Sequence, residues 1–262
     1  MNKPYWGLWS LLLTAFVFFV ILSFWQDGIH VGGLDIKTST FARDMLSQSA
    51  DNKPQASSDT LDNKDDTIPT RAPMDTTAKT ILFFGDSMLE GLAPRLAAYC
   101  AKNGHTLIVV IWYSSSTLCW GQSTRLTELM GKYHPDYIMV CLGANELYVP
   151  NIKNARRPHL KKILAEIGDI PYVWIGPPNW DEDTGINDLL AQELKVGCFY
   201  LSAHDKFERS RDGAHPTRPS AHKWMDRVVK WMNDSCSHPI RLDYPGEGIS
   251  RASRIVIYQP PV

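Results

Sequence analysis

From residue 80 onward the chain alternates short, unbroken apolar runs with longer stretches whose apolar residues recur every three to four positions. This alternation constrains the fold more than any other feature. The runs are TILFF (80–84), TLIVVIWY (106–113), DYIMVCLG (136–143), YVWIG (172–176, stopped by Pro177 and Pro178) and CFYLS (198–202). Such runs, bounded by Gly or Pro, read as strands buried on both faces. Between them lie helix patterns: MLEGLAPRLAAYCAKNG (88–104, ending at Gly104), STRLTELMGKY (123–133), HLKKILAEIG (159–168) and INDLLAQELKVG (186–197). A last one, SAHKWMDRVVKWMND, spans 220–234. Strands of this kind joined by amphipathic helices predict an α/β domain over 80–236, with a parallel sheet of about five strands and helices on both faces. That length is ample for one core.

Upstream the pattern differs. Residues 5–25, YWGLWSLLLTAFVFFVILSFW, carry no charge. At about 1.5 Å per helical residue they are long enough to cross a ~30 Å hydrocarbon layer. Trp6, Trp9 and Trp25 stand near the ends, where amphipathic rings favour the interface. The run exceeds the apolar region of a signal peptide and is followed by ILSFWQDG, which has no small-x-small cleavage site. A single transmembrane helix is therefore expected. Lys3 precedes it, while Asp27 follows and the next basic residue is Lys37. Positive charge on the N-terminal side places residues 1–4 in the cytoplasm and the rest in the periplasm or outside the cell. Residues 26–79 are rich in Ser, Asp, Asn, Lys, Thr and Pro and read as a flexible polar tether. Residues 237–262 form a tail in which SRIVIYQ (253–259) can add an edge strand.

In an open α/β sheet, ligands bind beyond the carboxyl ends of the strands. There the chain delivers Gly85-Asp86-Ser87, then SSSTLCWG (114–121), GANE (143–146) and GPPNW (176–180). After the fifth strand comes RDGAHPT (211–217), just before the final helix. A Ser at a helix start is also an ordinary cap, so Gly-Asp-Ser alone says little. Asp212 and His215, three apart, add the missing partner: the carboxylate can hold one imidazole nitrogen while the other takes the serine proton.

Gly85-Asp86-Ser87, Gly143-Ala144-Asn145 and Asp212-Gly213-Ala214-His215 resemble three ordered blocks of the SGNH, or GDSL-type, hydrolase superfamily. The resemblance covers residues 80–234. It implies a flavodoxin-like three-layer α/β/α fold and ester hydrolysis through an acyl-serine, with no cofactor. By position Ser87 would be the nucleophile, His215 the general base and Asp212 its orienter. The Ser87 N–H and the Asn145 amide would form part of an oxyanion hole. The family's second block normally supplies a glycine N–H; here Ser116 falls nearest that place, with Gly121 a later alternative. Glu146 follows Asn145 where the family more often has Asp. The anchor, the tether and DGAHPT resemble bacterial cell-envelope members, which implies an acylated envelope glycan or another small ester as substrate.

Asp86, Trp120, Tyr148 and Asn179 are the candidates for substrate contact. With Trp112, Tyr113 and Trp180 they follow or flank strand ends, where aromatic faces can stack on a sugar; core or rim packing is the alternative for the aromatic residues. Two other functions fit the same motifs. One is acyl transfer to a sugar hydroxyl, with a membrane acyl-donor partner. The other is a non-catalytic scaffold that kept the fold. A formal net charge of −1 gives no electrostatic reason for a nucleic-acid partner. No His, Cys or carboxylate spacing suggests a metal. The five cysteines, Cys100, Cys119, Cys141, Cys198 and Cys236, are too far apart for a metal-type pair, and one disulfide is conceivable in an exported domain.

Overall fold

The computed structural model describes residues 71–260 and, as backbone, 29–31 and 34–36. The expected membrane span at 5–25 lies outside these residues. Two compact units are present, residues 1–65 and 66–262. In the first, β1 (Ile29–Val31) pairs antiparallel with β2 (Leu34–Ile36), so this part of the expected tether is a hairpin.

The second unit runs β3 (Thr80–Gly85), α1 (Leu89–Asn103), β4 (Thr106–Trp112), α2 (Thr117–Gln122), α3 (Arg125–Tyr133) and β5 (Tyr137–Cys141). It continues α4 (Ile152–Ile167), β6 (Tyr172–Ile175), α5 (Ile186–Glu193), β7 (Phe199–Tyr200), α6 (Arg218–Ser235) and β8 (Arg254–Tyr258). The strands form one parallel sheet ordered β7-β6-β5-β3-β4-β8. Without β8 this is the flavodoxin-like order, whose switch point lies between β3 and β5. The sheet has six strands where the sequence pattern predicts about five. The added one is β8, from the tail, and its short run is too weakly periodic to separate from surface chain.

Alternate strand residues feed two cores. Phe83, Val109, Ile111 and Met139 pack under α1 and α6. Phe84, Val110, Val140 and Trp174 pack under α2, α3, α4 and α5. Each β3 and β5 side chain except that of Gly85 is thereby buried or nearly so, which is why these runs carry no polar alternation.

Residues 71–79 belong to this domain rather than to a tether. The Ala72 N–H donates to the Ser237 carbonyl at 2.9 Å, and Asp75 bonds the backbone of both Pro239 and Arg241 at 2.9 Å. Arg71 donates to the Cys236 carbonyl at 3.2 Å. These bonds join two segments that look equally irregular in sequence. All five cysteines are free thiols.

Candidate active site

Strand β3 ends on Gly85 because the chains come too close for a side chain. A Cβ there would sit 2.0 Å from the Cys141 carbonyl oxygen of β5. The next residue, Asp86, is fully buried and accepts the Met88 N–H at 2.9 Å, so it satisfies an orphan amide at the start of α1. Ser87 does not serve as the side-chain cap. Its hydroxyl lies instead 2.7 Å from His215 Nε2, across 128 residues of sequence.

His215 is held from behind. Its Nδ1 lies 2.7 Å from Asp212 Oδ2, while Asp212 Oδ1 accepts the Ala214 and His215 N–H groups at 3.0 Å each. The backbone bond from His215, then its imidazole, holds the Asp212 carboxyl below the usual carboxylate range, so it stays ionised at neutral pH. The loop that carries the pair is fixed by Arg209, which donates to the Ala214 carbonyl at 2.6 Å and to the Pro178 and Asn179 carbonyls at 2.9 and 2.6 Å. Thr217 then caps α6. With Nδ1–H donated to Asp212, Nε2 is the acceptor for the serine proton, which is the arrangement that activates a hydroxyl.

Among the described residues, the N–H groups of Ser87 and Ser114 make no hydrogen bond. Both residues line one open cleft of about 720 Å³ with Asp212 and His215. Ser114 follows β4 in the left-handed region at φ 55°, a conformation that favours glycine. The structure thus brings Ser114 to the cleft where the sequence suggested Ser116. Ser116 is buried and its hydroxyl caps α2 by accepting the Cys119 N–H at 3.4 Å. Gly121 faces away: its Cα approaches α4 so closely that a Cβ would meet His159 at 2.7 Å. Ser114 was missed because a run of three serines gives no register. The end of β4 at Trp112 supplies it.

Asn145 sits after β5 in a short 3-10 turn and donates its amide to the Ser115 carbonyl at 2.9 Å, with a second amide hydrogen left to give. Glu146, fully buried, accepts the Thr117 N–H, the Thr117 hydroxyl and Arg156 Nε at 2.8, 2.7 and 2.7 Å. Its longer side chain bridges the 114–117 loop to α4, a packing role.

The expected substrate contacts fall elsewhere. Asp86 has no exposed surface. Trp120 has none either: its ring packs 4.6 Å from that of Phe84 and 5.4 Å from that of Trp112, and its Nε1–H donates to Ser115 at 3.0 Å. It is a core residue, in the same cluster as Phe84, Trp112 and Leu126. Tyr148 is exposed and stacks edge-on against Trp180, while the Asn179 side chain accepts from Asn187 at 3.0 Å. Neither lines the Ser87 cleft. The cleft is lined instead by Tyr113, Arg218, Ser210 and the tail residues Ile255 and Ile257.

No family model matches the chain, and no curated protein matches it. Among solved structures it is similar to TesA, at 18% identity and a TM-score of 0.44 over 58% of this chain and 97% of that one. It is also similar to the psychrotrophic esterase EstA from Pseudoalteromonas sp., inhibited by monoethylphosphonate, at 19% identity and a TM-score of 0.44 over 59% and 99%.

Proposed function

We propose that the chain is a serine esterase of the SGNH type. It releases a short acyl group from an acylated saccharide or another small ester, outside the membrane to which residues 5–25 tether it. The observation that carries this reading is the unbroken relay of Ser87 Oγ, His215 and Asp212, each link 2.7 Å long.

In the reaction, His215 Nε2 takes the Ser87 proton as Oγ attacks the ester carbonyl. The oxyanion forms where the free Ser87 and Ser114 N–H groups can donate; Asn145, which does not itself line the cleft, is held against the same loop at Ser115 and has a spare amide hydrogen to add. Each such donor is worth roughly 3–4 kcal/mol in the transition state. His215 then gives the proton to the leaving alkoxide, and a water activated by the same nitrogen releases the acid. The His215 side chain is 38% exposed beside an open cleft, so water reaches an acyl-Ser87 readily. That access supports hydrolysis over transfer to a sugar hydroxyl, which needs water kept out.

The purified full chain should hydrolyse p-nitrophenyl acetate and be labelled by a fluorophosphonate at Ser87. Ser87→Ala should lose both activities. Undiminished turnover in that variant overturns the mechanism, and a folded chain never labelled at Ser87 points to a scaffold instead.

A further inference from the structure

The tail, for which the sequence offers no task, builds one side of the cleft. Arg95 of α1, 1% exposed, donates to the Gly246 and Gly248 carbonyls at 2.6 Å and pairs with Asp226 at 2.7 Å. The Ser250 N–H bonds the Pro94 carbonyl at 2.9 Å. So anchored, the chain enters β8, where Ile255 and Ile257 stand in register with Val109 and Ile111 of β4. Parallel partners share a face, and here it is the face covered by α1 and α6. The helices cover Val109 and Ile111 but stop short of β8, leaving Ile255 and Ile257 43% and 52% exposed.

The result is a groove of about 460 Å³ with Val109 and Ile111 as floor, Pro94 on one side, and Ile249 and Ile255 on the other. Ile111 and Ile255 also line the Ser87 cleft, as does Glu90, which accepts the Tyr113 hydroxyl, so the groove continues from the nucleophile. The two sides of Ser87 are chemically opposite. The leaving oxygen must receive its proton from His215, beside Ser210, Asp212 and Arg218. That wall is polar and suits a hydroxylated alcohol. The β8 side is mainly apolar, with Glu90, Ser250 and Arg251 at its margins.

We infer that the groove along β8 is the acyl subsite, and that it takes an unbranched apolar acyl chain longer than acetyl. This rests on the serine-esterase reading and narrows its acyl group. Ile249 and Ile255 line the groove and Ile257 lines the cleft that leads into it, and these three determine the specificity.

With p-nitrophenyl acetate, butyrate, hexanoate and octanoate, kcat/KM should rise by about two- to fourfold per added methylene until the groove is filled. Ile255→Thr with Ile257→Thr keeps β-branched residues in the strand, and thermal melts check that fold. This pair should lower the hexanoate-to-acetate ratio at least about fivefold. A flat chain-length profile with acetate hydrolysed overturns the groove assignment and leaves the esterase reading standing. Length dependence confined to acetates of lengthening alcohols also overturns it, by placing the chain on the leaving-group side. So does a dimer in sedimentation that the Thr variants dissociate, since the isoleucines would then cover one another. No hydrolysis of any ester, with no labelling of Ser87, fails both readings.

Discussion

Asp86, next to Ser87, illustrates how much one residue's surroundings decide. Burial, and to a lesser degree the nearby Glu146 carboxylate, push its carboxyl up to about 7, against which the bond from the Met88 N–H works. The folded state therefore binds a proton more tightly than the unfolded chain, whose Asp titrates near 3.8. Stability from this group is fully present below pH ~4 and is lost as pH rises through about 7. Three pH units correspond to on the order of 4 kcal/mol at most. Asp86→Asn, which stays neutral and can still accept from Met88, should flatten the fall in the denaturation midpoint between pH 4 and 7. A slope equal to that of the unmodified chain would place the titrating group elsewhere. Asp212→Asn tests the other acid. Its amide oxygen can keep the two backbone bonds, but its NH₂ then faces His215 Nδ1 and favours the wrong tautomer. kcat should fall about 10⁴-fold, with the melting temperature little changed.

At the scale of elements, buried ionic links join pieces of chain that share no local pattern. Glu146 ties the 114–117 loop to α4 through Thr117 and Arg156. Glu146→Ala would leave Arg156, 16% exposed, and the Thr117 N–H without their partner, costing about 3–5 kcal/mol. Because Asn145 leans on Ser115 in the same loop, kcat should fall as well. Glu146→Asp should recover part of both, read by denaturant unfolding and ester turnover. Trp120→Ala should cost about 3–5 kcal/mol as a core truncation. A loss of activity with stability unchanged would instead return Trp120 to the cleft.

For the whole molecule, residues 66–262 form a compact unit of their own. This segment alone should unfold in one cooperative transition and hydrolyse p-nitrophenyl acetate. A chain beginning at residue 80 loses the backbone bonds of residues 72 and 75 to residues 237–241 and should melt several degrees lower. If residues 5–25 anchor the protein, the full chain should sediment with membranes and the 66–262 segment should not. Recovery of both in the soluble fraction would remove the anchor from the proposal.

The sequence alone determined the alternation of strands and helices, their order, and the three short blocks that end near one sheet edge. These are local facts: burial on both faces makes a strand uniformly apolar, and a helix shows its period within a few turns. The Asp212–His215 pair was legible for the same reason, being three residues apart. Tertiary structure decided the rest. It brought Ser87 within 2.7 Å of His215, set Ser114 rather than Ser116 on the cleft, and buried Trp120 and Asp86 completely. It also turned the tail into β8 and a wall of the cleft. SRIVIYQ shows only a short apolar run, and which of its residues stay exposed depends on where α1 and α6 end and on Arg95 holding the approach. Such outcomes depend on contacts between distant segments, and no window of the sequence contains both partners.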